Sequence, residues 1–163
     1  MTIRLILAAT AAALATPAAA HEYAVGDLTV DHPIAYETAP GARTGAGYFT
    51  ITNAGDTPQR LTGVAADFPQ VQMHLSAEAD GVMTMTRQEA IEIPAQGSVV
   101  FAPGGYHVMF MGLDADGLDV GAEFPLTLTF EGLDPLTVSV HVESRDGAGE
   151  GMEGMDHGTE VTQ

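Results

Sequence analysis

The stretch Phe101–Gly112, FAPGGYHVMFMG, decides how the rest of the chain is read. Pro103-Gly104-Gly105 is turn chemistry, because proline fixes φ and glycine tolerates φ > 0. The run that follows, Tyr106 to Met111, has the length and the Tyr, Val and Phe content of a buried strand. Side chains alternate along a strand, so His107, Met109 and Met111 share one face. An ordinary core fills such a face with Val, Leu or Ile, since imidazole is costly to bury without a partner. That face calls for a polar or metallic partner.

Outward from this stretch, short runs rich in β-branched and aromatic residues recur about every ten residues, the pattern of an all-β sandwich or barrel. Strands are expected at DLTVDHP, AGYFTITN, QRLTGVAA, QVQMHLS, VMTMTRQ, SVVFAP, YHVMFMG, FPLTLTFE and LTVSVHVE. Gly, Pro, Asn and Asp separate them, as in Asn53–Pro58 (NAGDTP) and Ala79–Gly81 (ADG). No segment after residue 20 keeps a helical period over three turns.

The N-terminus has Arg4, then LILAATAAALA and TPAAA, the order of a secretory signal peptide cleaved before His21. Residues 1–20 are read as that signal, 21–143 as one β domain, and 144–163 as a Gly-rich acidic tail expected to be disordered. No run approaches the roughly 20 apolar residues of a spanning helix, so the mature chain is expected to be soluble, monomeric and periplasmic. With Arg4 removed, four Arg and no Lys face 22 Asp and Glu, giving 4 − 22 = −18 with His neutral. Such a charge excludes nucleic acid and anionic membrane as partners. The chain has no Cys, which removes disulfides, thiolate ligands and a lipid-anchoring thiol alike. Soft-metal chemistry then falls to Met and His, of which the full chain has 8 and 6.

A two-residue turn at Asp80-Gly81 would pair residues whose numbers sum to 161, since 80 + 81 = 161. Met85 then lies opposite Ser76, and His74 opposite Arg87, all four on one face. His74 and Met85 become diagonal neighbours about 7–8 Å apart from backbone to backbone across the hairpin, within reach of one shared ion. Together with His107 and Met109 they form a set of two imidazoles and two thioethers. Uncharged sulfur with imidazole suits Cu(I) and offers little to Mg²⁺, Ca²⁺ or structural Zn²⁺. Met73, Met83 and Met111 are read as packing residues, and His32 and His141, which lack a soft neighbour, as structural.

The spacing His74, ten residues, Met85, twenty-one residues, His107, one residue, Met109 is an H-x10-M-x21-H-x-M motif. In this the chain resembles the periplasmic PCu(A)C copper chaperone family. The similarity runs from DLTVDHP through GAGYFTITN, DGVMTM, IEIPAQG and PGGYHVMFMGL to the last strand. It implies a cupredoxin-like Greek-key barrel or sandwich, no enzymatic activity, and one Cu(I) bound through the four matching residues. It also implies a role in assembling the copper centres of cytochrome c oxidase, with a Sco-type thiol protein or the copper-bearing oxidase subunit as partner. Storage or copper resistance is the alternative role. One departure is HPIAYE, where many members have Trp and Arg after His-Pro; it lies outside the ligand set.

Two further copper candidates lie at the chain ends. Met152, Met155 and His157 sit among acids in GMEGMDH, a combination that suits either oxidation state of copper. Some members of the family carry a similar extension. A free amine and imidazole at His21 could chelate Cu(II), which leaves a copper oxygenase as a remote alternative. An electron-transfer cupredoxin is disfavoured because a blue-copper centre needs a Cys thiolate.

Overall fold

The computed structural model describes residues 22–79 and 81–145. Residues 1–20, His21, Asp80 and the tail residues Met152, Met155 and His157 lie outside the described part. Eleven strands follow one another: β1 (Glu22–Val25), β2 (Leu28–Tyr36), β3 (Thr44–Asn53), β4 (Gln59–Ala65), β5 (Gln70–Ala79), β6 (Val82–Gln88), β7 (Ile91–Ile93), β8 (Gly97–Phe101), β9 (Tyr106–Met111), β10 (Glu123–Phe130) and β11 (Leu136–Glu143). They form one curled sheet in the order β6-β5-β9-β8-β3-β2-β11-β10-β4-β7, with β1 beside β2. Neighbours in space are often distant in sequence, as expected of the cupredoxin-like β architecture. All nine expected strands are present. The unexpected two are β1, with four residues, and β7, with three, both too short for an alternating pattern to stand out.

Alternation builds the interior. Along β3, Gly45, Gly47, Phe49, Ile51 and Asn53 are buried while the residues between them are not. Val108 and Phe110 do the same on β9, and both are fully buried. The Phe110 ring stands edge-on to Phe124 at 5.1 Å and tilted to Phe68 at 5.2 Å. Such pairs contribute about 0.5–1.5 kcal/mol beyond area burial. Gly47 makes room for this ring, since a Cβ there would stand 2.9 Å from its edge.

The NAGDTP turn is fastened by the buried Asn53. Its side-chain nitrogen donates to the Thr57 carbonyl at 2.8 Å, and its oxygen accepts from the Gly55 amide at 2.9 Å. On β2 the register slips between Asp31 and Ile34, and His32 takes φ +50 there. This is the geometry of a β-bulge at the residue before proline. His32 Nε2 approaches Glu143 Oε1 at 3.7 Å, and His141 Nδ1 lies 3.1 Å from Glu123 Oε1. One carboxylate therefore lies beside each of these two histidines.

Candidate metal centre

The β5–β6 hairpin has the register that a two-residue turn requires. Ser76 faces Met85, His74 faces Arg87, and Gly81 adopts φ +76. The pairing of β5 with β9 could not be anticipated from local sequence. It sets His74 directly opposite His107, and Gln72 opposite Met109. Met73 and Val108, on the reverse side of the same strands, are buried in the core. His74, Met85, His107 and Met109 are thus brought to one outer face of the sheet by three adjacent strands.

The two imidazole rings lie 5.9 Å apart and 28° from parallel. His107 is only 6% exposed, whereas Met85 on the edge strand is 53% exposed. Met85, His107 and Met109 line a cleft of about 270 Å³ together with Ser76, Tyr48 and Arg145. No carboxylate lines it, although the chain has 22. Among the described residues no three His, Cys, Asp or Glu converge on one point. Hard cations, which need clustered oxygens, have nothing to hold there.

Local backbone fixes His107. Gly104, at φ +81, turns the chain so that the Gly105 carbonyl accepts from the Ser76 amide at 3.0 Å. The same carbonyl lies 3.1 Å from His107 Nδ1. A carbonyl can only accept, so Nδ1 carries the proton and Nε2 keeps a lone pair. His74 Nε2 is 3.1 Å from Gln72 Oε1, and its Nδ1 is buried with no hydrogen-bond partner. A buried acceptor left unpaired costs about 1–3 kcal/mol, which a bound cation would relieve.

Burial, the neighbouring His107 and the Arg87 charge hold the His74 pKa below the ordinary 6.5. The neutral ring is therefore favoured, as a ligand must be. Because the unfolded chain takes this proton more readily, the effect removes stability as pH falls below about 6.5 and vanishes above it. Proton competition at His74 should accordingly weaken Cu(I) binding only below pH 6.5. Chelator competition between about pH 7.5 and 5 measures this; a flat profile points to a site made of Met alone.

Not every sequence assignment survives. Met73 is core, but Met83 is 59% exposed because β6 is an edge strand with no neighbour to pack on it. It shares Met85's face one pleat further from His74, opposite Glu78. Met111 is half-buried on the outer face, opposite Gln70 and Thr44, and so is also not a core residue. Gln72 was overlooked, although its place two residues before His74 puts it on the same face.

The LpqE-like family model, described as "Putative lipoprotein LpqE-like", matches residues 28–142. The chain belongs to this family. A relative, "Putative lipoprotein Lxx21020" of Leifsonia xyli subsp. xyli, is 30% identical over 122 residues, 74% of this chain and 73% of the relative. Among solved structures, the copper-bound PCuAC domain from PmoF2 superposes with a TM-score of 0.63 at 34% identity, covering 76% of this chain and 98% of that one. The Cu(I) form of DR1885 from Deinococcus radiodurans gives 0.54 at 28% identity, covering 80% and 86%. The PCu(A)C resemblance read from the motif and the cupredoxin-like fold are thereby borne out for this LpqE-like chain. No helix among the described residues is long and apolar enough to cross a membrane.

Proposed function

We propose that this protein is an exported copper chaperone, not an enzyme, that holds one Cu(I) through His74, Met85, His107 and Met109. The observation that carries the reading is that three adjacent strands bring two imidazoles and two thioethers to one face, at a cleft whose lining holds no carboxylate. That similar domains are described as copper-bound supports it. The family's description as lipoprotein-like favours export, with the periplasm as the compartment.

The site is suited to giving copper away. All four donors are neutral, so a partner's thiolate, which is both soft and anionic, competes for Cu(I) on favourable terms. Met85, the most exposed donor, is displaced first, and His107, buried and tied to the Gly105 carbonyl, is released last. A Sco-type thiol protein or the copper-bearing subunit of cytochrome c oxidase is the proposed acceptor. Anaerobic mixing with each purified apo-acceptor tests this: copper should pass to a thiol acceptor in proportion to protein added. Copper that stays on the chaperone in every mixture would leave storage or resistance as its role.

The tail is proposed as a second, weaker copper station. Arg145, the second residue of the 144–163 segment, lines the cleft. Deleting residues 147–163, and with them Met152, Met155 and His157, should remove a second copper equivalent and slow loading from Cu(II) with reductant. Affinity at the first site should hardly change. Unchanged stoichiometry and loading rate would reduce the tail to a solvated extension. His21, the basis of the copper-oxygenase alternative, lies outside the described residues, and that alternative leaves the internal His and Met set unexplained.

A further inference from the structure

The two imidazoles of the proposed site are presented by different ring nitrogens. In His107 the main chain holds Nδ1 and leaves Nε2 as donor. In His74 the held atom is Nε2, 3.1 Å from the Gln72 side-chain oxygen. An amide oxygen can only accept, so the proton resides on Nε2 and the lone pair on Nδ1. That Nδ1 is the buried atom without a hydrogen-bond partner. A lone pair sealed from water and matched to no donor is poorly placed for solvent and well placed for an ion.

Register supplies the reason for the asymmetry. His74 and His107 are directly opposed, with rings 28° from parallel, so equivalent nitrogens would stand at similar heights above the sheet. Nδ1 adjoins Cγ and lies nearer the backbone than Nε2. Using Nδ1 on β5 and Nε2 on β9 staggers the donors and draws the ion down beside the His74 ring. We propose, resting on the copper reading above, that Cu(I) binds His74 through Nδ1 and His107 through Nε2. Gln72 is the positioning residue that fixes the His74 tautomer. Gln72 faces Met109 across the β5–β9 pair, on the ligand face, yet contributes a hard amide oxygen that Cu(I) does not seek. It acts on the metal through the ring it orients, as hydrogen-bond partners of ligating histidines commonly do.

The test uses the full chain with ¹⁵N-labelled histidine and Cu(I) alone, under argon. Long-range ¹H–¹⁵N correlation identifies the protonated and metal-bound nitrogen of each ring. The apo-protein should show protonated Nε2 in His74 and protonated Nδ1 in His107. One equivalent of Cu(I) should shift Nδ1 of His74 and Nε2 of His107. Gln72→Leu should mix the His74 tautomers and weaken Cu(I) about tenfold, the low end of what losing such a partner costs. Its His107 pattern should not move, because the acceptor there is main chain. Gln72→Glu, which keeps an acceptor oxygen at the same reach, should restore the His74 pattern. Nε2 coordination in both rings would overturn the assignment while leaving the copper site intact. So would a Gln72→Leu protein with unaltered His74 tautomer and affinity. Bound copper that shifts neither ring would bring down the assignment and the copper reading together.

Discussion

Met85→Ile and Met109→Ile should each weaken Cu(I) by more than about 100-fold, beyond the roughly 10–100-fold that follows loss of an outer-shell partner. Each change deletes a soft donor outright. Folding should barely notice. Met85 stands half in solvent on an edge strand, and Met109 is half-buried on the outer face, so neither leaves a core cavity. A branched alkyl chain of similar volume also suits a strand, and stability should move by less than about 1.5 kcal/mol. Met83→Ile is the internal control. Its side chain shares the face but lies opposite Glu78 rather than beside His74, so its Cu(I) affinity should match the parent's. Competition against a chromophoric Cu(I) chelator, with urea unfolding run in parallel, reads both effects. Equal affinity in Met85→Ile, Met109→Ile and the parent would remove the thioethers from the site.

Phe110→Ala should produce the largest loss of stability, about 3–5 kcal/mol, because a fully buried ring leaves a cavity that its neighbours fill only in part. Phe110 packs on Phe68 and Phe124 and occupies the space that Gly47 keeps open. It is also the residue after Met109, so the two faces of β9 divide their work. Val108 and Phe110 anchor the strand inward while His107 and Met109 project outward from it. Thermal or urea unfolding should show the loss at any copper concentration. A cost below about 1 kcal/mol would mean that the three-ring cluster does not hold β9 in place.

The fold was largely legible because period-2 alternation and turn residues are local signals. Asp80-Gly81 set the register of a whole hairpin, down to the pairing of Met85 with Ser76. β7, reading Ile91-Glu92-Ile93, was missed because three residues cannot display a period; it forms because Leu61 and Gln59 of β4 offer a partner edge. The direct opposition of His74 and His107 was illegible for a different reason. Register between strands distant in sequence is fixed by packing the other face, here Met73 and Val71 opposite Val108 and Phe110, and no turn between them encodes it. Met83 was misread because a Met in an apolar run looks the same on an inner and on an edge strand. Gln72 could have been found by the rule that placed His74 with Ser76, applied two residues in the other direction.

The most direct test of the central claim is a titration of the full chain with Cu(I), followed through its methionine methyl and histidine ring resonances. At the first equivalent the Met85 and Met109 methyls and the His74 and His107 rings should shift together and saturate at one copper per chain. Met73, in the core, should stay where it was. A first equivalent that instead moves only Met152, Met155 and His157, or leaves the four outer-face residues unchanged, would contradict the account.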